Sequence, residues 1–313
     1  VPVNKAGEPI YNAISWLDER AVEEAAYLEQ EIGAELLFAK TGKPLERDYP
    51  LPKLLWFQKN RKEIYDKAWK ILMPLDFLNF KLTGKAVTDY TMAGGTMLYN
   101  IREKCWDTQL LSLTGISPEK LPEVACMGTL LGSILPDVAK ELGIYANAQV
   151  FLGGQDQKLA AIGAGIKEGV CTVSLGTATA ITMFHEQFDE RALFPEFRLS
   201  EDRFVSEDSI STSGAALRWL AQTLFGGKSY REMDELALSS CPGANGVTVV
   251  PDFSEKATIE GLTLATTQGD IVYALYEGVC RKVKECTDRF ENINQLYVFG
   301  GGAKSEIWCR VMA

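Results

Sequence analysis

Apolar residues recur every three to four positions through residues 17 to 40, LDERAVEEAAYLEQEIGAELLFAK, with charges filling the gaps. That spacing predicts one amphipathic helix or two short ones, because positions i, i+3 and i+4 share a helix face. A second helical stretch, KLLWFQKNRKEIYDKAWKIL over 53 to 72, follows the turn signal DYPLP. From 75 to 152 short helices alternate with turns, marked by LTG at 82 to 84, AGG at 93 to 95 and LTGISPEKLP at 113 to 122. The period then changes: AQVFLGGQ predicts a buried strand that ends in glycines and opens a helix. GVCTVSLGTATAITMF, 169 to 184, alternates β-branched and small residues on both sides of LGTA, the pattern of a hairpin. Further on, ISTSGAALRWLAQTLF predicts a helix, GVTVVPDF a strand, GDIVYALYEGVCRKVKECTDRF a long amphipathic helix, and INQLYVFGGGAKSEIWCRVMA a strand, a glycine turn and a helix start. Strands alternating with helices predict an α/β fold, and 313 residues predict about two domains, with the boundary near residue 165.

A formal charge of −10 speaks against a nucleic-acid partner, since phosphate binding over a broad surface needs Lys and Arg in excess. Any phosphate bound here needs a small local pocket. No run of 18 apolar residues exists and VPVNKAGEPI lacks the features of a signal peptide, so no membrane partner is expected and the expected location is cytoplasmic. The seven cysteines, at 105, 126, 171, 241, 280, 286 and 309, are odd in number and show no CxxC spacing, which predicts reduced and mostly buried thiols. His185 is the only histidine, at the end of an apolar strand where a surface position is expected. Histidine-based nucleophilic devices and His-rich metal sites are therefore nearly excluded, and chemistry falls to carboxylates, backbone amides and glycines.

Three glycine turns end predicted strands: GGQDQ at 153 to 157, SLGTAT at 174 to 179 and FGGGAKS at 299 to 305. Glycine lets backbone approach a ligand, and turn amides present positive dipoles to an anion, so the combination points to a nucleotide with phosphates. Each turn alone is also ordinary strand-end chemistry. None matches GxxxxGK[ST], and GGGAKS lacks the GxGxxG spacing of a dinucleotide site. Asp156 has two readings: an acid stabilising a helix N-terminus, or a base that takes the proton of a hydroxyl being phosphorylated.

GGQDQKLAAIGAG, GVCTVSLGTAT, STSGAALRWL, GLTLATTQGDIVYALYEGVCRKV and YVFGGGAKSEIW, in that order, resemble the FGGY family of carbohydrate kinases. Upstream, GEPIYNAISWLDERA resembles the family's W-x-D-x-R stretch, DYPLPKLLWFQKN its K-L-x-W segment, and DFLNFKLTGKAVTDYTMAGGT its K-L-T-G, T-D and A…T stretch. The resemblance covers essentially the whole chain. It implies an actin-like, ribonuclease-H-like ATPase fold of two domains flanking a cleft: 1–165, the later part of a sugar-binding domain, and 166–313, the earlier part of a nucleotide-binding domain.

It also implies roles. Asp156 stands at the place of the family's catalytic base and, through Mg-ATP, of a metal contact; Gln157 resembles a side chain that touches sugar hydroxyls. Gly176 and Thr177 resemble the hairpin that holds ATP phosphates, and Gly300, Gly301, Gly302 and Ser305 the turn under the adenosine. Trp16, Asp18 and Arg20 border the sugar side in the family, while a core tryptophan and a structural ion pair remain equal readings. Glu277 belongs to a family motif and reads more simply as an acid bonded to neighbouring turns.

The implied cofactors are ATP and Mg²⁺, and the implied partner is a small sugar or polyol; a homodimer stays open. The wording of GGQDQ and SLGTAT is most like xylulokinases, which implies a ketopentose such as xylulose, with glycerol, gluconate and other ketoses open. The family's opening D-x-G-T strand is absent from this sequence, and both ends read as cuts. A fragment of weak or no activity is therefore expected, the alternative being a kinase-derived protein that binds sugar or nucleotide without catalysis.

Overall fold

The computed structural model describes residues 1–188, 195–253, 256–290 and 293–313. Two compact units divide the chain, residues 1–159 with 185–206, and residues 160–184 with 207–313. The chain passes between them within the helix Asp156–Gly163 and within the strands Thr179–His185 and Phe204–Ile210.

In the first unit the early amphipathic stretch forms two helices, Val22–Glu31 and Ala34–Thr41, divided at Gly33 with φ 85°. Glycine adopts that left-handed backbone without steric cost, so the helical pattern breaks there. The next stretch also divides, into Pro50–Asn60 and Lys62–Lys67, because Arg61 leaves helical geometry at φ −142°, ψ 50°. Pro50 begins its helix at a position whose N–H needs no partner. These helices bury Leu28, Leu37, Leu51 and Leu54 against Met97, Leu98 and Leu110. Burying each such side chain contributes roughly 1.5–3 kcal/mol relative to exposure.

Glu196–Arg198 pairs antiparallel with the start of Phe204–Ile210, setting Glu196 opposite Ser206 and Arg198 opposite Phe204. Phe204 joins the cluster of Tyr90, Ala93, Tyr99 and Ile101. Lys43 and Lys158 are both fully buried. Their ammonium groups lie 2.8 and 3.8 Å from the Phe197 ring centroid, and Lys43 donates to the Glu196 carbonyl. The strand predicted from AQVF is Gln149–Phe151, antiparallel to Leu130–Ser133, yet Phe151 is 57% exposed. Within the strand only Val150 turns toward the core, half-buried beside Leu152, which packs with Val87 and Leu131, because the ladder covers a small core on one face.

In the second unit Val170–Leu175 and Thr179–His185 form the expected hairpin, Leu175 opposite Thr179. Gln295–Phe299 runs parallel to Val170–Leu175, with Phe299 opposite Ser174, and the later part of Phe204–Ile210 lies beside Thr179–His185. Cys171, Val173 and Leu175 alternate into the core with Ile181 and Met183, as the two-residue period of a strand requires. The long helix Gln268–Thr287 starts at a capping box in which Thr267 Oγ1 accepts from Asp270 N (3.2 Å) and Asp270 Oδ2 accepts from Thr267 N (2.8 Å). Bonds from Ser240 first, then Thr267 and Asn245, hold the Asp270 carboxyl well below the usual carboxylate range. The helix predicted from ISTSGAALRWLAQTLF is α-helical over Gly214–Trp219 and widens to a π-turn over Leu220–Leu224.

Cys171 and Cys286 are buried, Cys105 and Cys241 exposed, and the other three intermediate, so the expectation of mostly buried thiols holds only in part; all seven are free. His185 is half-buried rather than a surface residue, with Nε2 2.7 Å from Ser206 Oγ. Among the described residues no helix is long and apolar enough to cross a membrane.

One buried carboxyl sits uneasily in the first unit. Asp76 Oδ2 accepts from Met73 N (2.9 Å) at the start of the helix Pro74–Thr83, and the nearby Thr88 hydroxyl opposes the effect of burial on the carboxyl from a position short of good hydrogen-bond geometry. Burial pushes the Asp76 pKa from 3.8 up to about 7. A carboxyl raised in this way stabilises the fold fully below 3.8 and loses that contribution as pH rises through about 7. Asp76→Asn can still accept from Met73 and also donate to Thr88. It is expected to add on the order of 1–3 kcal/mol at pH 8 and clearly less at pH 5, measured by urea denaturation. A gain that does not vary with pH contradicts this account.

Candidate active site

Asp156 opens the helix Asp156–Gly163 and is exposed. The cap of that helix is its neighbour: Gln155 Oε1 accepts from Lys158 N (3.0 Å), and the Gln155 carbonyl accepts from Leu159 N (3.0 Å). Asp156 Oδ1 instead accepts from Gln155 Nε2 (2.8 Å) and from Gln157 N (2.7 Å). The helix-end role considered for Asp156 thus passes to Gln155, because Asp156 sits one residue too far into the first turn to close it.

The turn is anchored from the T-D-Y-T stretch. Asp89, fully buried, caps the helix Tyr90–Gly94 by accepting from Thr91 N (2.9 Å) and Met92 N (3.0 Å). Thr91 Oγ1 donates to Asp89 Oδ2 (2.7 Å) and accepts from Gln155 N (2.8 Å). Burial raises the Asp89 pKa, opposed by these donors. A Cβ on Gly154 would stand 3.1 Å from both Asp89 Oδ2 and Thr91 Oγ1, so the second glycine of GGQDQ relieves a tight contact at this approach. Lys158 secures the same turn from inside, its ammonium over the Phe197 ring. Gln157 Oε1 is buried without a partner among the described residues.

The WLDER loop is held separately. Lys53 Nζ donates to the carbonyls of Ser15 (2.8 Å), Trp16 (3.3 Å) and Asp48 (2.7 Å). Arg20 makes a two-pronged pair with Asp18, Nε to Oδ1 at 2.8 Å and Nη2 to Oδ2 at 2.7 Å, and lies 4.8 Å from the Trp56 ring centroid. The Arg20 bond lowers the Asp18 pKa to about 2. Trp16 is 74% exposed, so it is no core tryptophan.

The second unit brings the other two glycine turns together. Gly300 and Gly302 pack on Leu175: a Cβ on Gly300, at φ 93°, would lie 2.9 Å from the Leu175 carbonyl oxygen, and one on Gly302 2.6 Å from Leu175 Cγ. Both turns therefore leave the carboxyl ends of adjacent parallel strands, the usual place for ligands in open α/β sheets. Gly301 has open space around it, and Thr177 is exposed. The amides that open the helix Gly214–Trp219 are already used, Gly214 N by the Gly176 carbonyl (3.0 Å) and Ala215 N by that of Thr177 (3.0 Å). An anion at this turn must find its donors in the turn itself.

Ser305 lies under this turn, its hydroxyl donating to Asp234 Oδ1 (2.8 Å) and accepting from Trp308 N (3.1 Å). Tyr276 Oη donates to the same Asp234 oxygen (2.6 Å), and its ring stacks on Trp308 at 4.5 Å. Sequence reasoning passed over Asp234, Asp89, Thr91 and Gln155. The Asp-x-Thr spacing of TDYT was a legible capping signal; nothing local marks Asp234. Glu277 accepts from Gly243 N (2.7 Å), a bond to a neighbouring turn as expected.

A family model described as the FGGY family of carbohydrate kinases, N-terminal domain, matches residues 1–163, and the family's C-terminal domain model matches residues 171–313. A xylulose kinase of Staphylococcus xylosus is 28% identical over 332 residues, covering 100% of this chain and 68% of that protein. A gluconokinase of Bacillus subtilis is 25% identical over 343 residues, covering 100% and 66%. The crystal structure of ligand-bound xylulose kinase from Lactobacillus acidophilus matches with a TM-score of 0.90 at 25% identity, covering 100% of this chain and 67% of that one. The chain thus spans about two thirds of the length of these relatives.

The two outer glycines and the middle one are expected to differ. Gly300→Ala meets both a left-handed backbone and a carbonyl at 2.9 Å, whereas Gly301→Ala meets nothing within 4 Å. In denaturation experiments the first should cost roughly 1–3 kcal/mol and the second less than about 0.5. Equal costs would contradict the close packing on Leu175.

Proposed function

We propose, because this chain belongs to the FGGY family of carbohydrate kinases and has their actin-like α/β fold, that the complete protein transfers the γ-phosphoryl group of ATP to a hydroxyl of a sugar or polyol. A ketopentose such as xylulose is the favoured acceptor, supported by the relatives named as xylulose kinases; the gluconokinase relative makes an aldonate the main competitor. The reading is carried by the two glycine turns at the ends of adjacent parallel strands, with Gly300 and Gly302 packed on the first turn at Leu175.

In this reading Asp156 takes the hydroxyl proton. The freed oxygen bonds to the γ-phosphorus while the bond from that phosphorus to its bridging oxygen breaks, and ADP departs with the electron pair. Gly176, Thr177, Gly300 and Gly301 hold the nucleotide through their backbone. Ser305 acts from beneath, since its hydroxyl is engaged with Asp234 and Trp308. Gln157 binds the sugar in this reading, supported by its buried Oε1, which has no donor among the described residues and would accept one from a sugar hydroxyl. Trp16, exposed beside the Asp18–Arg20 pair, offers an aromatic face at the sugar side.

Among the described residues no group of three or more His, Cys, Asp or Glu side chains could hold a metal ion. A Mg²⁺ ion would therefore be held mainly by phosphates and water, with Asp156 as the carboxylate this chain can offer, and would supply charge neutralisation. Loose phosphoryl-transfer chemistry asks mainly for positioning and charge neutralisation, so one carboxylate and backbone amides suffice without histidine.

The test uses the complete protein and follows ADP formation with xylulose, other ketoses, gluconate and glycerol. Turnover should be fastest with a ketopentose. Asp156→Asn should lower kcat about 10²–10⁴-fold while ATP binding, measured by calorimetry, is retained. Ordinary turnover by that variant would remove Asp156 from its assigned role, and calorimetric binding without turnover in the unmodified protein would mark it as a binding protein.

A further inference from the structure

We propose that Gln155 is a positioning residue for Asp156, and that Asp156 accepts the proton through Oδ2; this rests on the reading of Asp156 as the base. Both donors that reach the carboxylate, Gln155 Nε2 at 2.8 Å and Gln157 N at 2.7 Å, converge on Oδ1. No described residue donates to Oδ2. Two bonds to one oxygen fix the rotation of the carboxylate and leave its other oxygen as the acceptor for the substrate proton.

The orientation of the Gln155 amide is decided by its two partners. Its oxygen accepts from Lys158 N (3.0 Å) and its nitrogen donates to Asp156. Turning the amide over would set nitrogen against an N–H and oxygen against a carboxylate, losing both bonds. The Gln155 backbone is fixed in turn, since its N–H donates to Thr91 Oγ1, whose own proton goes to Asp89. One hydroxyl that must both accept and donate therefore sets where Gln155 begins, and Gln155 sets how Asp156 points. The other carboxylate tied into this turn is Asp89, already satisfied by Thr91 and Met92.

Capping and positioning can be separated by substitution in the complete protein. Gln155→Glu keeps an oxygen for Lys158 N but has no donor for Asp156 and sets a second carboxylate beside it, so its kcat is read on the high-pH plateau of the rate profile; Gln155→Leu loses both bonds without adding charge. Both variants should lose about 10- to 100-fold in kcat with the KM for ATP unchanged, and Gln155→Glu should melt within a few degrees of the parent protein. Wild-type kcat in Gln155→Glu beside a loss in Gln155→Leu would reduce Gln155 to a helix cap and overturn the proposal, as would wild-type kcat in both. If Gln155→Leu does not fold, Gln155→Glu decides alone. Asp156→Asn, run beside them, separates the two levels: if it remains active the base reading fails, and if it is inactive while both Gln155 variants turn over normally, only the positioning fails. Independently of turnover, the Gln155 amide should exchange with solvent about tenfold faster in Thr91→Val and be restored in Thr91→Ser. Unchanged exchange in Thr91→Val would overturn the Thr91 link.

Discussion

The hydrogen bond from the Gln155 amide to the Thr91 hydroxyl, 2.8 Å long, joins segments 64 residues apart and governs the geometry of the first unit's site. It is available only because Thr91 follows Asp89, whose carboxylate takes the hydroxyl proton and leaves the oxygen lone pairs facing the turn. Gly154 favours it too, since a Cβ there would stand 3.1 Å from Asp89 Oδ2 and Thr91 Oγ1. Burial of Asp89 costs solvation free energy, and three donors from Thr91 and Met92 offset that cost. Both donors from Thr91 fall on Oδ2 and that from Met92 on Oδ1, which fixes the carboxylate against the start of the helix Tyr90–Gly94.

The second unit solves a similar problem with shape. Two turns leave the ends of adjacent parallel strands, and the absence of Cβ at Gly300 and Gly302 permits their close contact at Leu175. Behind the turns, Asp234 gathers Tyr276 and Ser305 on one carboxylate oxygen, and the stacked rings of Tyr276 and Trp308 fill the space beside it. Such a stack adds roughly 0.5–1.5 kcal/mol beyond its buried area, enough to hold the helix Glu306–Met312 against Gln268–Thr287.

Charge is buried elsewhere in the first unit as well. Lys43 and Lys158 meet the face of Phe197, where the ring quadrupole attracts a desolvated ammonium by about 2 kcal/mol, while burial of Asp76 shifts its pKa upward against the weaker pull of Thr88 and Met73. An aromatic face suits a cation, and two neutral donors only partly offset the burial of an anion.

Local pattern was enough for the hairpin around LGTA, the long capped helix Gln268–Thr287, the breaks at glycine and proline, and the family, because periodicity, capping residues and ordered motifs are properties of neighbouring residues. It failed at the strand Gln149–Phe151, where Phe151 is exposed and Val150 only half-buried because burial depends on what covers it. It placed Asp156 at a helix N-terminus, where it lies in the first turn and accepts from Gln157 N, but did not show that Gln155 holds the cap, since a one-residue difference in where a helix begins is invisible to periodicity. Asp234 carries no local mark of importance, and the capping signal at Asp89–Thr91 gives no hint of the bond from Thr91 to Gln155. The partners of Asp234 and Thr91 lie 71 and 64 residues away, and only the folded chain brings those donors and acceptors within hydrogen-bonding distance. The sequence by itself determined the family and where its glycine turns fall; the tertiary structure decided which oxygen of Asp156, Asp89 and Asp234 is occupied, because that depends on distances between segments the chain order does not encode.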